Sequence, residues 1–313
     1  MRVFHRWEEM APEARGGSLI IGNFDGLHLG HVSVLNAAVF QAKRNHRPVS
    51  LLTFFPHPVE VLFPERRQLR LTTTTEKLAL LDKLGLDFVL VAPFDKPLAE
   101  TSAEGFFENY VWKTFAPKSL HVGSDFRFGK GREGSQEWLA AKAKSRGFEL
   151  CPSELVMIDG VRISSTEIRR LLVDGKVEEA SRLLGRPYSI TGQVEHGDHR
   201  GRQLGFPTAN VSYPDDKILP KNGVYVTEVF WQQQTFASVT NVGVRPTVAN
   251  VTPSPRIETH LFDFNQRLYD EFLNVRFLAR VRDEKRFGSL DELKEQIGRD
   301  SACARDWFTP RKS

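Results

Sequence analysis

Ser18-Leu-Ile-Ile-Gly-Asn-Phe-Asp-Gly-Leu-His-Leu-Gly-His31 decides how the first half of the chain folds. A short apolar run ends at Gly22. A glycine-spaced loop follows, and after Gly30 the residues Leu35, Ala38, Val39 and Ala42 recur at helical spacing. The pattern predicts strand, tight loop, helix. Glycines allow backbone to approach a ligand closely. A helix N-terminus presents free N–H groups and partial positive charge, which suit a phosphate. His28 and His31 fall at that end, where imidazole can donate to phosphate oxygens as charge develops.

Plainer readings of the two histidines are a helix cap, a surface group or a pair of metal ligands. No cysteine and no carboxylate cluster lies near them apart from Asp25, so a zinc site is the weakest of these. The spacing of Gly22, Asp25-Gly26, His28 and Gly30-His31 resembles the HxGH signature of the nucleotidyltransferase superfamily.

With 313 residues, 40% of them hydrophobic and 26% charged, the chain is long enough for two domains of ordinary globular composition. Lysine plus arginine number 43 against 39 acidic residues, a net +4 that mildly favours anionic partners. The charges are interspersed, and no basic stripe with interleaved aromatics marks a nucleic-acid binder. Cys151 and Cys303 form no disulfide framework, which fits a reducing cytoplasm. Neither a signal peptide nor an apolar run of membrane-spanning length is expected. Nothing in the sequence specifies an oligomeric state.

Outward from the opening loop, 48–54 reads as a buried strand running into Phe55-Pro-His-Pro58. Two prolines fix the backbone around His57, either as a ligand-facing group at a strand end or as a rigid turn. Thr73 with Glu76 predicts a capping box, and Gly85 a helix stop. Strands are expected at 87–91 and 120–123, with a helix opened by Thr101 and Glu104 between them. Alternating strands and helices predict a parallel sheet covered on both faces. Gly123 to Gly131 fails as a Walker loop, because five residues separate its first glycines and no Ser or Thr follows Lys130. It is expected to be a loop with Asp125 and two aromatics facing a ligand. Residues 135–146 read as helix and 148–150 as strand. Ser164, Ser165 and Thr166 precede a helix whose apolar side is Ile168, Leu171 and Leu172. They are caps, or with Arg169 a phosphate clamp.

From Tyr188 helical periodicity gives way to alternation, as in 223–230, 257–262 and 275–282. In the last, Arg276, Arg280 and Arg282 are expected on one side. This predicts a small antiparallel barrel closed by a helix with Ser289 as cap and Leu290, Leu293 and Ile297 as stripe. A boundary is placed near 185–188, giving domains 1–186 and 187–313. Within the barrel, the segment 196–210 is a glycine-containing loop whose Arg200 and Arg202 either fold over a triphosphate or form a solvated turn. Thr208 and Asn210, two apart, face one side and offer neutral oxygens suited to magnesium.

The motifs together resemble bacterial bifunctional riboflavin kinase/FMN adenylyltransferases over nearly the whole chain. They are 22–31, Thr53-Phe-x-Pro-His-Pro58, Asp125-Phe-x-Phe-Gly129, Ile163-Ser-Ser-Thr-x-Ile-Arg169, Gly205-Phe-Pro-Thr-Ala-Asn210, Asn241-Val-Gly-Val-Arg-Pro-Thr247 and Glu258-x-His-x-Phe-Asp-Phe264. The resemblance implies an N-terminal α/β domain with a parallel Rossmann-like nucleotidyltransferase sheet, then a small antiparallel β-barrel with a C-terminal helix. It implies that the barrel phosphorylates riboflavin with ATP to FMN and that the first domain adenylylates FMN to FAD, releasing pyrophosphate.

By motif matching, Glu258 is the kinase base, Thr208 and Asn210 hold Mg2+, and His28 and His31 are catalytic in adenylyl transfer. Gly22, Asn23, Phe24, Gly30, Ser164, Ser165, Thr166, Arg169, Gly201, Arg202 and Gly205 bind nucleotide, and His57 and Asp125 help place flavin. The implied partners are riboflavin, FMN and ATP, without nucleic acid or membrane. Departures from the family pattern are Glu167, Ser124 and Asp270. The competing readings are a chain with one surviving activity and a flavin-storing module. Motifs in both halves weigh against the first, and the paired histidines and Glu258 against the second.

Overall fold

The computed structural model describes residues 1–66, 68–153, 155–196, 205–244 and 255–309. The contacts divide the chain into two compact units, Met1–Ser165 and Thr166–Ser313.

In the first unit six parallel strands form one sheet: β1 (Arg2–Phe4), β2 (Ser18–Ile21), β3 (Val49–Phe55), β4 (Phe88–Pro93), β5 (Ser119–Val122) and β6 (Glu149–Pro152), in the order β1-β4-β3-β2-β5-β6. Buried on both faces, the four central strands β2 to β5 read as apolar runs rather than alternating ones. Leu19, Ile21, Leu52, Leu90 and Leu120 point into one core with Phe106, Phe107 and Phe115. Ile20, Leu51 and Val89 point into the other, against Leu35, Ala38, Val39 and Ala42 of the helix Leu29–Arg44. The strand order reverses at β2, which has β3 on one side and β5 on the other. In open α/β sheets that switch point, at the carboxyl edge, is where ligands bind. The loop 22–28 leaves β2 there.

Thr73 and Glu76 form the reciprocal capping box that opens the helix Thr74–Leu81. The next cap is displaced from expectation. Ser102, not Thr101, accepts the Gly105 N–H, while the Thr101 hydroxyl turns back to the Pro97 carbonyl. One of the two aromatics of 125–129 also differs from expectation. Phe128 is buried in the core with Phe106 and Trp138, and Phe126 packs beside it. Burial of the Phe128 ring outweighs presenting it at the loop, whereas Phe126 is half-buried. A hairpin, β7 (Met157–Ile158) and β8 (Val161–Arg162), leads to the helix Ser165–Val173.

The second unit contains a closed six-stranded antiparallel barrel: β9 (Tyr188–Glu195), β10 (Ala209–Val211), β11 (Gly223–Trp231), β12 (Gln234–Val244), β13 (Pro255–Leu261) and β14 (Phe272–Asp283), in the order β10-β13-β12-β11-β14-β9. Thr227, Ser238, Thr240 and Thr259 are fully buried and satisfy one another through hydroxyl hydrogen bonds of 2.7–2.9 Å. The helix Leu290–Phe308 covers Val224, Val226, Val239 and Ala279 through Ala304 and Phe308. Its Asp300 holds Arg282 at 2.7 Å. Leu290, expected in the buried stripe, is 70% exposed, because the helix is seated through its second half. The three arginines of β14 do not share a side. Two register shifts against β11 break the alternation. Arg276 pairs with Glu228 and Arg282 with Asp300, while Arg280 leans over Tyr225. Asp270 has φ +69°, a conformation that favours glycine and that aspartate tolerates better than most residues.

The contact division falls ahead of the change in sequence texture at 186/187. The helices after Ser165 belong with the barrel: the Lys221 N–H donates to Leu172, and the Arg280 N–H to Glu178. Val177, Ala180, Leu183 and Leu184 are buried. Burying each of the larger ones is worth about 1.5–3 kcal/mol. A fragment of residues 166–313 is therefore expected to melt cooperatively, and one of residues 187–313 at a markedly lower temperature. Circular dichroism on the two fragments checks this, and equal midpoints would contradict it.

Candidate active sites

The loop after β2 is fastened from below and from one flank. The Asp25 carboxylate accepts from the Leu71 N–H at 3.0 Å, the Thr72 N–H at 3.0 Å and the Thr72 hydroxyl at 3.2 Å. The Gly26 N–H donates to the same hydroxyl. Gly26 has φ +80°, and a Cβ there would stand 2.7 Å from Leu71, so the turn requires glycine. The Ser165 hydroxyl donates to the Asp25 carbonyl at 2.9 Å, which brings the start of the serine-threonine segment to this loop.

His28 is the N-cap of the helix Leu29–Arg44. Its Nδ1 accepts the His31 N–H at 3.2 Å, so in the neutral ring the proton is on Nε2. His31, in the first turn, stacks on His28 with centroids 3.6 Å apart and planes 14° from parallel. The Phe24 ring meets His31 edge-on at 5.1 Å. A Cβ on Gly30 would touch the His28 ring at 3.2 Å, so glycine lets that ring lie over the first turn. Two imidazoles, a helix N-terminus and a glycine loop thus converge at the switch point. This donor set can receive negative charge on phosphate.

His57 and Asp125 follow β3 and β5 at the same edge. His57 caps the short helix Pro58–Leu62, its Nδ1 accepting from Val59 at 3.2 Å. Asp125 is exposed and pairs with Arg162 at 2.9 Å. Ser164 belongs to the first unit, whereas Thr166 and Arg169 belong to the second. Glu167, a departure from the family pattern, pairs with Arg170 at 2.6 Å. Sequence reasoning missed Thr53 and Lys77, which lie beneath the loop. A lysine inside a short capped helix carries no sequence signal of burial.

On the barrel, alternation sends Ala209, Val211, Ile257 and Thr259 inward. Asn210 and Glu258 therefore face outward, and the ladder pairs them directly. Asn241 of β12 is the partner of Glu258 on its other side. The result is a row Asn210–Glu258–Asn241 across three strands. Thr208, two residues before Asn210, is exposed on the same side of the extended segment. The Pro207 carbonyl is 2.8 Å from His260 Nδ1, and Gly205 has φ +89°. Gly201 and Arg202, with Arg200 and Thr247, lie outside the described residues.

Two polar clusters therefore stand on separate cores, one at the sheet's switch point and one on the barrel wall. The FAD synthetase family model matches residues 10–167, and the Riboflavin kinase family model matches residues 184–308. The chain is 40% identical to the bifunctional riboflavin kinase/FMN adenylyltransferase of Escherichia coli (strain K12), over 98% of this chain and 97% of that one. It is 33% identical to the enzyme of that name from Bacillus subtilis (strain 168), over 99% and 98%. A solved structure from Streptococcus pneumoniae, described as a macrolide-efflux protein, is similar with a TM-score of 0.88 and 32% identity, over 98% of this chain and 99% of that one. Among the described residues no helix is long and apolar enough to cross a membrane. The chain belongs to the bifunctional riboflavin kinase/FMN adenylyltransferase family.

Proposed function

We propose that the barrel makes FMN from riboflavin and the α/β unit makes FAD from FMN, with the residues assigned as follows. In the barrel, Glu258 takes the proton of the ribityl hydroxyl. That oxygen forms its bond to the γ-phosphorus of ATP as the bond to the β-phosphate oxygen breaks, and ADP leaves. Thr208 and Asn210 present neutral oxygens beside Glu258, a donor set that fits magnesium shared with phosphate oxygens. Bound there, the metal would neutralise charge on the transferring phosphoryl group. The observation that carries this reading is the direct ladder pairing of Asn210 with Glu258.

In the α/β unit a phosphate oxygen of FMN attacks the α-phosphorus of a second ATP, and pyrophosphate departs. His28 and His31 donate to the oxygens that gain charge, and Gly22, Asn23, Phe24 and Gly30 line the backbone approach. Ser164, Ser165, Thr166 and Arg169 bind phosphates of the nucleotide, and His57 and Asp125 help place the flavin. Gly201, Arg202 and Gly205 bind the nucleotide of the kinase. Cys151 and Cys303 are both free thiols, which supports a reducing compartment, the cytoplasm.

Incubation with riboflavin, ATP and magnesium tests the reading: FMN should appear first, then FAD with stoichiometric pyrophosphate. FMN without FAD, or neither, would overturn it. The fragment of residues 166–313 should make FMN and no FAD. Thr208→Ala or Asn210→Ala should raise the magnesium concentration needed for FMN formation and leave FMN adenylylation unchanged. A magnesium titration of both half-reactions reads this, and an equal defect in both would place these ligands elsewhere.

A further inference from the structure

Beneath the loop that follows β2 lies a buried cation that the transfer chemistry has not used. Lys77, in the helix Thr74–Leu81, is 8% exposed. Its Nζ donates to the Asn23 carbonyl at 3.0 Å and to the Thr53 hydroxyl at 3.2 Å. Thr53, fully buried at the end of β3, donates in turn to the same Asn23 carbonyl at 3.1 Å. Two donors therefore grip one backbone oxygen in the nucleotide loop.

The consequence follows from peptide geometry. In a planar trans peptide the C=O and the next N–H point in opposite directions. Drawing the Asn23 oxygen inward to Lys77 turns the Phe24 N–H away from Lys77. Among the described residues that N–H has no partner. Phe24 has φ +50° and Leu27 +40°, conformations that residues with side chains adopt only when surroundings hold them. Such left-handed positions next to ordinary ones turn successive N–H groups toward an anion. A lysine grasped only by neutral oxygens also keeps its charge uncancelled by direct contact. The charged neighbours are Asp25 from the loop and Arg70 from the segment before the helix; Thr53, on the strand side, is neutral. Asp25 is already engaged by Leu71 and Thr72, and Arg70 is 3.7 Å from Glu60. A methionine would fill the same space without the desolvation that a buried ammonium suffers.

We propose that Lys77 is a positioning residue for adenylyl transfer, orienting the Asn23–Phe24 peptide so that its N–H and the field of the buried ammonium are directed at the phosphates of ATP. The proposal rests on the assignment of adenylyl transfer to this unit. It goes beyond that assignment by giving the reaction a dependence on one buried charge. Burial lowers the Lys77 pKa to about 8, with Asp25 opposing and Arg70 adding to the shift. The charge is then lost within a range in which the protein can be assayed.

The sign of the accompanying stability change is opposite to that of the rate. A lysine whose folded pKa lies below its unfolded value binds fewer protons in the folded state between the two. Its contribution to stability therefore rises as pH increases from about 8 toward 10.5. A rate that falls over that interval is not a sign of unfolding at this group.

The experiment measures both half-reactions of the full chain from pH 6.5 to 9.5, with FMN and ATP for one and riboflavin and ATP for the other. For the wild-type chain, kcat/KM for ATP in FAD formation is expected to fall above pH 8, while FMN formation does not share that limb. Lys77→Met should lower FAD formation by about a hundredfold, the scale of a misplaced reacting group, and lose the limb. Lys77→Arg should recover part of the rate and carry it past pH 9. The wild-type profile needs no variant, so the proposal stays testable if a substitution prevents folding. FAD formation flat to pH 9.5, or Lys77→Met at the wild-type rate, would overturn the proposal alone. Absence of FAD at every pH would overturn the adenylyl assignment and the proposal together.

Discussion

Glu258→Gln is expected to slow the formation of FMN from riboflavin by about 10²–10⁴-fold, the usual scale for loss of a general base. FMN supplied directly should still become FAD at the wild-type rate. Glutamine keeps the shape and a hydrogen-bonding end but does not accept the ribityl proton. Glu258 faces outward from β13, and its neighbours in the ladder, Asn210 and Asn241, are uncharged amides. The buried partners of the strand, Ile257 and Thr259, are untouched. Chromatographic separation of riboflavin, FMN and FAD reads both steps from one sample. A variant that makes FMN at near full speed would reduce Glu258 to a strand residue. Loss of both activities would indicate misfolding.

Removal of either stacked imidazole should act on the other step. His28→Ala or His31→Ala is expected to lower FAD formation by about 10²–10³-fold, the range seen when one preorganised donor to a developing oxyanion is lost. FMN should then accumulate from riboflavin. His28 has two roles, and they separate. Its Nδ1 caps the helix Leu29–Arg44 through the His31 N–H. Losing an N-cap costs about 1 kcal/mol, and asparagine is a good substitute. His28→Asn should therefore melt near the wild-type temperature and still fail in adenylyl transfer. Restored FAD formation in His28→Asn would show that the cap, not the imidazole chemistry, is what the reaction needs.

Local signals in the chain were legible where one residue and its near neighbours settle the outcome. The capping box of Thr73 and Glu76, the stop at Gly85 and the cap at Ser289 all appear in the structure. The apolar runs became the parallel strands, and the alternating ones became the barrel. Misreadings arose where a local rule had two nearby solutions or a distant competitor. Thr101 and Ser102 are both capping residues, and the turn geometry selected the second. Phe128 looks like a loop aromatic until the core that receives it is known. The arginines of β14 follow period two only until a bulge interrupts it, and no residue there signals the bulge.

The order of residues is enough to specify the class of each half, the loop at the end of β2 with its histidine cap, and the side of the barrel strand on which Asn210 lies. Each depends on periodicity or on residues within one helical turn. The placement of Asn210 opposite Glu258 follows only from folding, because register between strands far apart in the chain is chosen by barrel closure. Packing likewise makes the barrel unit begin with the helices after Ser165, since their apolar faces gain a partner only when the barrel is formed. It also brought Lys77 under Asn23. A lysine in an eight-residue helix is ordinarily solvated. Only the packing of that helix behind the loop converts it into a buried charge.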